Sequence, residues 1–366
     1  MKLISQFLLV VCSMSAVSVY AQQDAPGGTL INTKSKSKAA VCTDGCCYSA
    51  GNNAPAGIIT AHLHAKGKWM VAYMYMNMLM QGNKTGNVKA SNEDLYKTYL
   101  MSPEKMVMQM HMAMLMYGVT DRLTLMGMGG YESFNMSMRA QVQLSCYPPG
   151  SNLMKCTSSG FADTKVYALY SLNKNDKHQL GGSLGLSLPT GSTDITGLTV
   201  LGSNERLSYN MQTGTGSFAV LPGLTYWYNG NLLSWGAATT TDIKLDKNNN
   251  GYKYGNVYTA NLWVSHKFLS FLTGSLRAEG IGAGKITGTD PAIDIPYNLK
   301  GDPAANANNT GGKWVNIYTG INLHFNQKVL SRFQLQVEYG LPAYQDLKGT
   351  QMAIAGNLIA AINYSF

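Results

Sequence analysis

Thioethers are soft, neutral ligands that select Cu(I), and by the same softness Ag(I), over hard cations such as Mg²⁺ or Ca²⁺. The chain holds 21 methionines in 366 residues, and their spacing is more telling than their number. Met70, Met74, Met76, Met78 and Met80 share one parity, as do Met106, Met108, Met110, Met112, Met114 and Met116, with Met126 and Met128 close behind. On a strand, side chains two residues apart share a face, so each run is a stripe of sulfur. Antiparallel pairing across a three-residue turn, Gly118-Val119-Thr120, is expected to set Met112 beside Met126 and Met110 beside Met128. His111, His62 and His64 add imidazoles, and Cys42, Cys46 and Cys47 add a C-x3-C-C cluster. Such a ladder of weak sites suits capture and conduction of copper(I), which is also the one cofactor the residues suggest.

Which way the stripes face depends on register. With a three-residue turn, Met126 shares its face with Arg122, Thr124 and Glu132, so the stripes line an interior. With a two-residue turn the parity flips, the stripes join Leu123 and Leu125, and Gln109 and His111 turn inward. The first register leaves Gln109 and His111 facing lipid, a cost unless a bulge or the membrane rim relieves it. In the second, methionine is merely an adaptable apolar side chain in contact with lipid.

The remaining chemistry is thinner. Cys146 and Cys156 fall in one long connection, and in an oxidising compartment a local disulfide is expected. Cys42, Cys46 and Cys47 are an odd set, which leaves one thiol for metal or for another chain. Asp246-x-Asn248-x-Asn250-Gly251 opens like a calcium loop, but Val257 stands where a bidentate Glu is required. The glycine-rich stretch 274–288 has no helix after it and is no phosphate loop. No local signature of nucleophilic catalysis can be assembled, so no enzyme is expected.

Period-2 alternation recurs along the chain and marks the elements that must carry these residues. Strands are expected at 68–80, 106–117, 121–132, 163–172, 179–188, 217–228, 232–244, 253–265, 269–283, 312–325, 331–340 and 356–366. The gaps after odd strands are long and those after even strands short, as in a bacterial barrel with both ends in the periplasm. Leu358, Ala360, Ile362, Tyr364 and Phe366 form one apolar face of the last strand, against Ile359, Ala361, Asn363 and Ser365. The fold class is therefore all-β: an antiparallel transmembrane outer-membrane β-barrel of about twelve strands, with long outer loops and short periplasmic turns.

Composition agrees. Only 13% of residues are charged, against roughly 25% in soluble proteins. The net charge of +9 is spread without basic clusters, which argues against nucleic acid. Lys2, an apolar run from Leu3 to Val19, and Val19-Tyr20-Ala21 form a leader with cleavage expected after Ala21. The expected organisation is thus a signal peptide at 1–21, a flexible Cys-containing tail at 22–60 and a barrel at 61–366, exported to the outer membrane of a Gram-negative bacterium. Oligomeric state is not set by the sequence.

Several stretches also resemble a known family. They are Trp69-Met70 through Gly82-Asn83, Met106-x-Met108-x-Met110-His111-Met112, Tyr117-Gly118-Val119-Thr120-Asp121-Arg122-Leu123-Thr124-Leu125-Met126, Gly185-Leu186-Ser187-Leu188-Pro189-Thr190-Gly191-Ser192, Leu221-Pro222-Gly223-Leu224-Thr225-Tyr226 and Glu338-Tyr339-Gly340-Leu341-Pro342-Ala343-Tyr344-Gln345-Asp346-Leu347. From about residue 62 onward the chain resembles outer-membrane transporters related to the phenol-degradation meta-pathway (MetA) β-barrel family, in a Met-rich subgroup. The resemblance implies a barrel and a channel, with hydrophobic aromatic compounds as the solute in some members. Similar members begin with Asp-His-Met-His where this chain has Ala61-His62-Leu63-His64, and carry Arg where it has Met74. Three readings follow: a channel for a small solute, with soft metal ions first; a channel for small hydrophobic or aromatic compounds; and a structural barrel whose stripe faces lipid.

Overall fold

The computed structural model describes residues 53–141, 152–175, 177–199, 202–298, 301–325 and 332–366. The expected leader, Cys42, Cys46, Cys47 and Cys146 lie outside the described residues.

The strands are β1 (Trp69–Gly86), β2 (Val88–Ala90), β3 (Met101–Gly118), β4 (Leu123–Ala140), β5 (Leu153–Phe161), β6 (Thr164–Lys174), β7 (His178–Leu188), β8 (Thr196–Thr199), β9 (Gly202–Arg206), β10 (Ala219–Asn229), β11 (Leu233–Lys244), β12 (Val257–Leu269), β13 (Leu272–Ala283), β14 (Gly312–His324) and β15 (Phe333–Ser365). The main sheet has thirteen; β2 and β5 pair outside the ring, and the remaining eleven close it through β15 and β1. β8 and β9 form a separate two-stranded sheet. Closure matters because a barrel leaves no backbone edge unpaired in lipid. Trp69 and Phe366 exchange backbone hydrogen bonds of 2.9 Å at the seam.

A ring of eleven strands with every neighbour antiparallel needs one reversal, and β15 supplies it. Its 33 residues pair with β14 through Gln334 to Leu347 and with β1 through Thr350 to Ser365. Gly349, at φ 68°, turns the chain between the two halves, a conformation that favours glycine. The expected loop at 341–355 is therefore strand, and the two expected strands are the two oppositely directed halves of this one element. Its turn-like residues are accommodated within the strand: Pro342, which has no N–H to donate, sits at a register shift against β14.

The expected alternation of connections is present, with one further change. The connections after β3, β6, β10 and β12 are short and lie at one end, and those after β1, β4, β7, β11 and β13 are longer and start from the other. β4 runs on to Ala140, past its expected end at 132. It pairs with β6 up to Met128 and with β5 from Tyr131 onward, so β5 and β6 act as one interrupted strand.

Outward side chains such as Val71, Leu115, Leu125, Leu224, Leu262, Ile321 and Ile362 are exposed, while Thr124, Thr225, Asn261, Gln336 and Asn363 are buried inside. Apolar groups outside and polar groups inside are the pattern of a membrane barrel. No described helix is long and apolar enough to cross a membrane.

Residues 53–60, expected at the end of a flexible tail, lie within the lumen. Asn53 O accepts from Ser265 Oγ at 2.7 Å, and Ala54 O accepts from Gln336 Nε2 at 2.9 Å and Asn322 Nδ2 at 3.2 Å. Gly57 N donates to Glu338 Oε2 at 2.6 Å, and Thr60 and Thr225 hydroxyls meet at 2.8 Å. Ala54, Ile58 and Ala61 pack with Trp227, Ala238 and Trp263. An irregular segment can be buried here because the polar lining satisfies its backbone. A segment without strand periodicity gives no sign of this in sequence.

Candidate functional site

The sulfur stripes face the lumen. β1 and β3 pair in register as Met70 with Met116, Met74 with Met112, Met76 with Met110, Met78 with Met108 and Met80 with Met106. β3 and β4 continue it with Met116 opposite Met126, Met114 opposite Met128 and Met106 opposite Met136. Residues directly opposite stand about 5 Å apart at Cβ, so each pair is a rung. The odd-numbered neighbours Val71, Tyr73 and Leu115 are exposed on the outside, while Met70, Met74, Met106, Met114, Met116, Met126 and Met128 are buried. Met76, Met78, Met80, Met108, Met110 and Met112 are half-buried.

The expected partners differ. The turn after β3 spans 119–122, with Thr120 Oγ1 accepting from Leu123 N at 2.9 Å, and every partner of the β3 stripe moves by four residues. Met112 faces Gly130 and Met110 faces Glu132. An even shift preserves the face, so the stripes merge as expected while the rungs change.

His111 does not join them. It is exposed on the outer face, its Nδ1 2.6 Å from Tyr73 OH, and its ring lies 5.1 Å from that of Tyr75. Gln109 Nε2 donates to Tyr75 OH at 2.7 Å. Tyrosine hydroxyls, rather than a bulge, meet the cost of these outward polar groups. His62 and His64 lie in the lumenal segment before β1, and His64 N donates to Thr124 Oγ1 at 2.9 Å. Burial, with His64 adding repulsion at His62, lowers both imidazoles to about 4, so they are neutral. Among the described residues, no three His, Cys, Asp or Glu side chains are grouped to hold a metal ion.

Sulfur continues above the ladder. Met101, Met136, Met138, Met154 and Met211 pack around Cys156, Met80 and Met108 beneath the loops. Cys156 is a free, buried thiol, 3.0 Å from Leu198 O, and burial pushes it up to about 12. Its expected disulfide partner lies outside the described residues. Met136 and Met138 have the parity of Met126 and Met128, a signal obscured by ending the strand at 132.

Two cavities adjoin the lining. One of ≈ 290 Å³ is bounded by Met110, Met112, Met128 and Glu132 on one wall, with Lys165, Asp242, Lys244 and Tyr254 among the others. A second of ≈ 280 Å³ shares Lys165 and Asp242 and reaches Tyr167 and residues 57–60. Thioethers neither donate nor accept protons usefully, so the methionine wall itself can hold soft ions or apolar solutes.

No family model and no curated protein matches the chain. Among solved structures, an outer-membrane channel from Pseudomonas putida F1 is similar at TM-score 0.54 and 15% identity, covering 82% of this chain and 96% of that one. A Pseudomonas aeruginosa FadL homologue has TM-score 0.42 at 11% identity, covering 88% and 96%. A TodX mutant monoaromatic hydrocarbon channel has TM-score 0.43 at 10% identity, covering 86% and 93%. The likeness to the Pseudomonas putida channel is one of fold: this chain has the closed antiparallel barrel of an outer-membrane channel.

Proposed function

We propose that this protein is an outer-membrane channel of a Gram-negative bacterium, of the Met-rich MetA-related type, whose lumen passes soft monovalent cations, Cu(I) or Ag(I), along methionine rungs. The observation that carries this reading is the cross-strand pairing of methionines on the lumenal face of β1, β3 and β4. Successive rungs are two residues apart, about 6.8 Å along a strand. Two thioethers make a weak site, and conduction needs sites that release as readily as they bind. The lumenal facing of the stripe weighs against a purely structural barrel.

The second reading, a channel for small hydrophobic or aromatic molecules, draws on the same wall as an adaptable apolar lining, with Tyr167 and Leu221 at the second cavity. Replacing Met108, Met110 and Met112 together with Leu separates the two. Leucine keeps the apolar volume and removes the ligand. The purified barrel in liposomes, titrated with Cu(I) under reducing conditions, is expected to retain at least about tenfold less metal in the triple variant. Equal retention overturns the metal reading, and aromatic uptake that survives the substitution supports the second.

A further inference from the structure

A buried carboxylate is costly unless something compensates its charge. Most carboxylates inside this barrel are engaged. Glu338 and Glu279 pair with Arg277, Asp242 pairs with Lys244, and Asp163 accepts from Gly191 N and from Thr215 N and Oγ1. Glu132 is different. It is only 9% exposed, faces the ≈ 290 Å³ cavity, and has no hydrogen bond or ion pair among the described residues; Lys165 shares the cavity without a salt bridge to it.

Sulfur stands on the strand wall that carries Glu132, with Asp163 and Lys165 among the charged groups across the cavity. Met110 is its cross-strand partner, and Met112 stands opposite Gly130, the next lumenal position along β4. The absence of a side chain there lets Met112 lie across the strand: a Cβ on Gly130 would come within 3.3 Å of Met112 Cγ. Met128 lines the same wall. One carboxyl group thus stands beside three neutral soft donors.

Building on the ladder reading above, we infer that Glu132, Met110, Met112 and Met128 form a mixed carboxylate–thioether site for one soft monovalent cation, the holding point of the pathway. The sulfurs supply preference for a soft ion, and Glu132 neutralises the single charge that neutral thioethers leave uncompensated. Hard divalent cations want six or more oxygen ligands, which this wall lacks. A neutral aromatic solute has no use for the carboxylate.

The test is Ag⁺ titration of the purified full chain in detergent, for wild type, Glu132→Gln, Glu132→Asp and the Met108, Met110 and Met112 to Leu triple variant. Glu132→Gln is nearly isosteric, and native heat-modifiable migration checks that it folds. The expected result is at least about tenfold weaker Ag⁺ binding in Glu132→Gln, partial retention in Glu132→Asp, loss in the triple variant, and no displacement by excess K⁺. Unchanged binding in Glu132→Gln with loss in the triple variant overturns the role of Glu132 and leaves the ladder standing. Unchanged binding in both overturns the ladder and the site with it. Loss in Glu132→Gln alone, or displacement by K⁺, overturns the mixed site in favour of a plain carboxylate one.

Discussion

A guanidinium removed from water needs partners on every side, and Arg277 has them. Its Nε is 3.0 Å from Glu338, its Nη1 is 3.0 Å from Glu279 and 2.8 Å from Asn261, and its carbon lies 3.8 Å from the Tyr318 ring centroid. Removing Arg277 as Arg277→Leu strands Glu338 in the interior, and the expected loss is about 3–5 kcal/mol, measured by reversible urea unfolding into lipid vesicles. The double change Arg277→Leu with Glu338→Leu is expected to recover much of it. Gly57 rests on this pair, with its N–H on Glu338 and no room for a Cβ beside the guanidinium. Gly57→Val should therefore release the lumenal segment to protease while the barrel stays folded; an unchanged digestion rate would count against that docking. None of this could be read from the sequence, because Arg277 and Glu338 lie 61 residues apart and meet only through barrel closure.

The element that responds to acid is the segment before β1. His62 and His64 are held near a pKa of 4, below the ordinary 6.5, so the docked segment refuses protons that a released one accepts. Docking is at full strength above pH 6.5 and weakens as pH falls toward 4, by up to about 3 kcal/mol for His62. Limited proteolysis between pH 7 and pH 4.5 should show cleavage near residues 53–64 rising on the acid side, and His62→Gln with His64→Gln should flatten the profile. At this scale legibility was uneven. That the methionines form stripes followed from parity, because a strand has period two; which face they take was left open between two turn lengths, and the pairing of β3 with β4 sets it toward the lumen. Their partners did not follow, because 119–122 forms a longer turn than its residues suggested. β15 was divided in two because Pro342, Asp346, Lys348 and Gly349 look like a loop until a neighbouring strand pairs with them.

For the whole molecule, the alternation of long and short connections made the barrel readable in advance, since closure obliges each strand to reverse. Sequence periodicity reports which face a residue occupies, and it is silent on what fills the enclosed space. The lumenal segment, the isolation of Glu132 and the packing around Cys156 all belong to that space. Cys156 should accordingly react slowly with iodoacetamide in the folded protein and rapidly after denaturation, as read by site-resolved mass spectrometry; equal rates would contradict its burial and raised pKa.

The methionine wall has a consequence of a different kind. A thioether is oxidised by one oxygen atom to a polar sulfoxide, reversibly where a reductase can reach it. The half-buried methionines at 76, 78, 80, 108, 110 and 112 present that chemistry to whatever small peroxide enters the lumen. Each such event replaces an apolar sulfur with a polar sulfoxide, so peroxide would turn this apolar stretch of the lumenal wall polar.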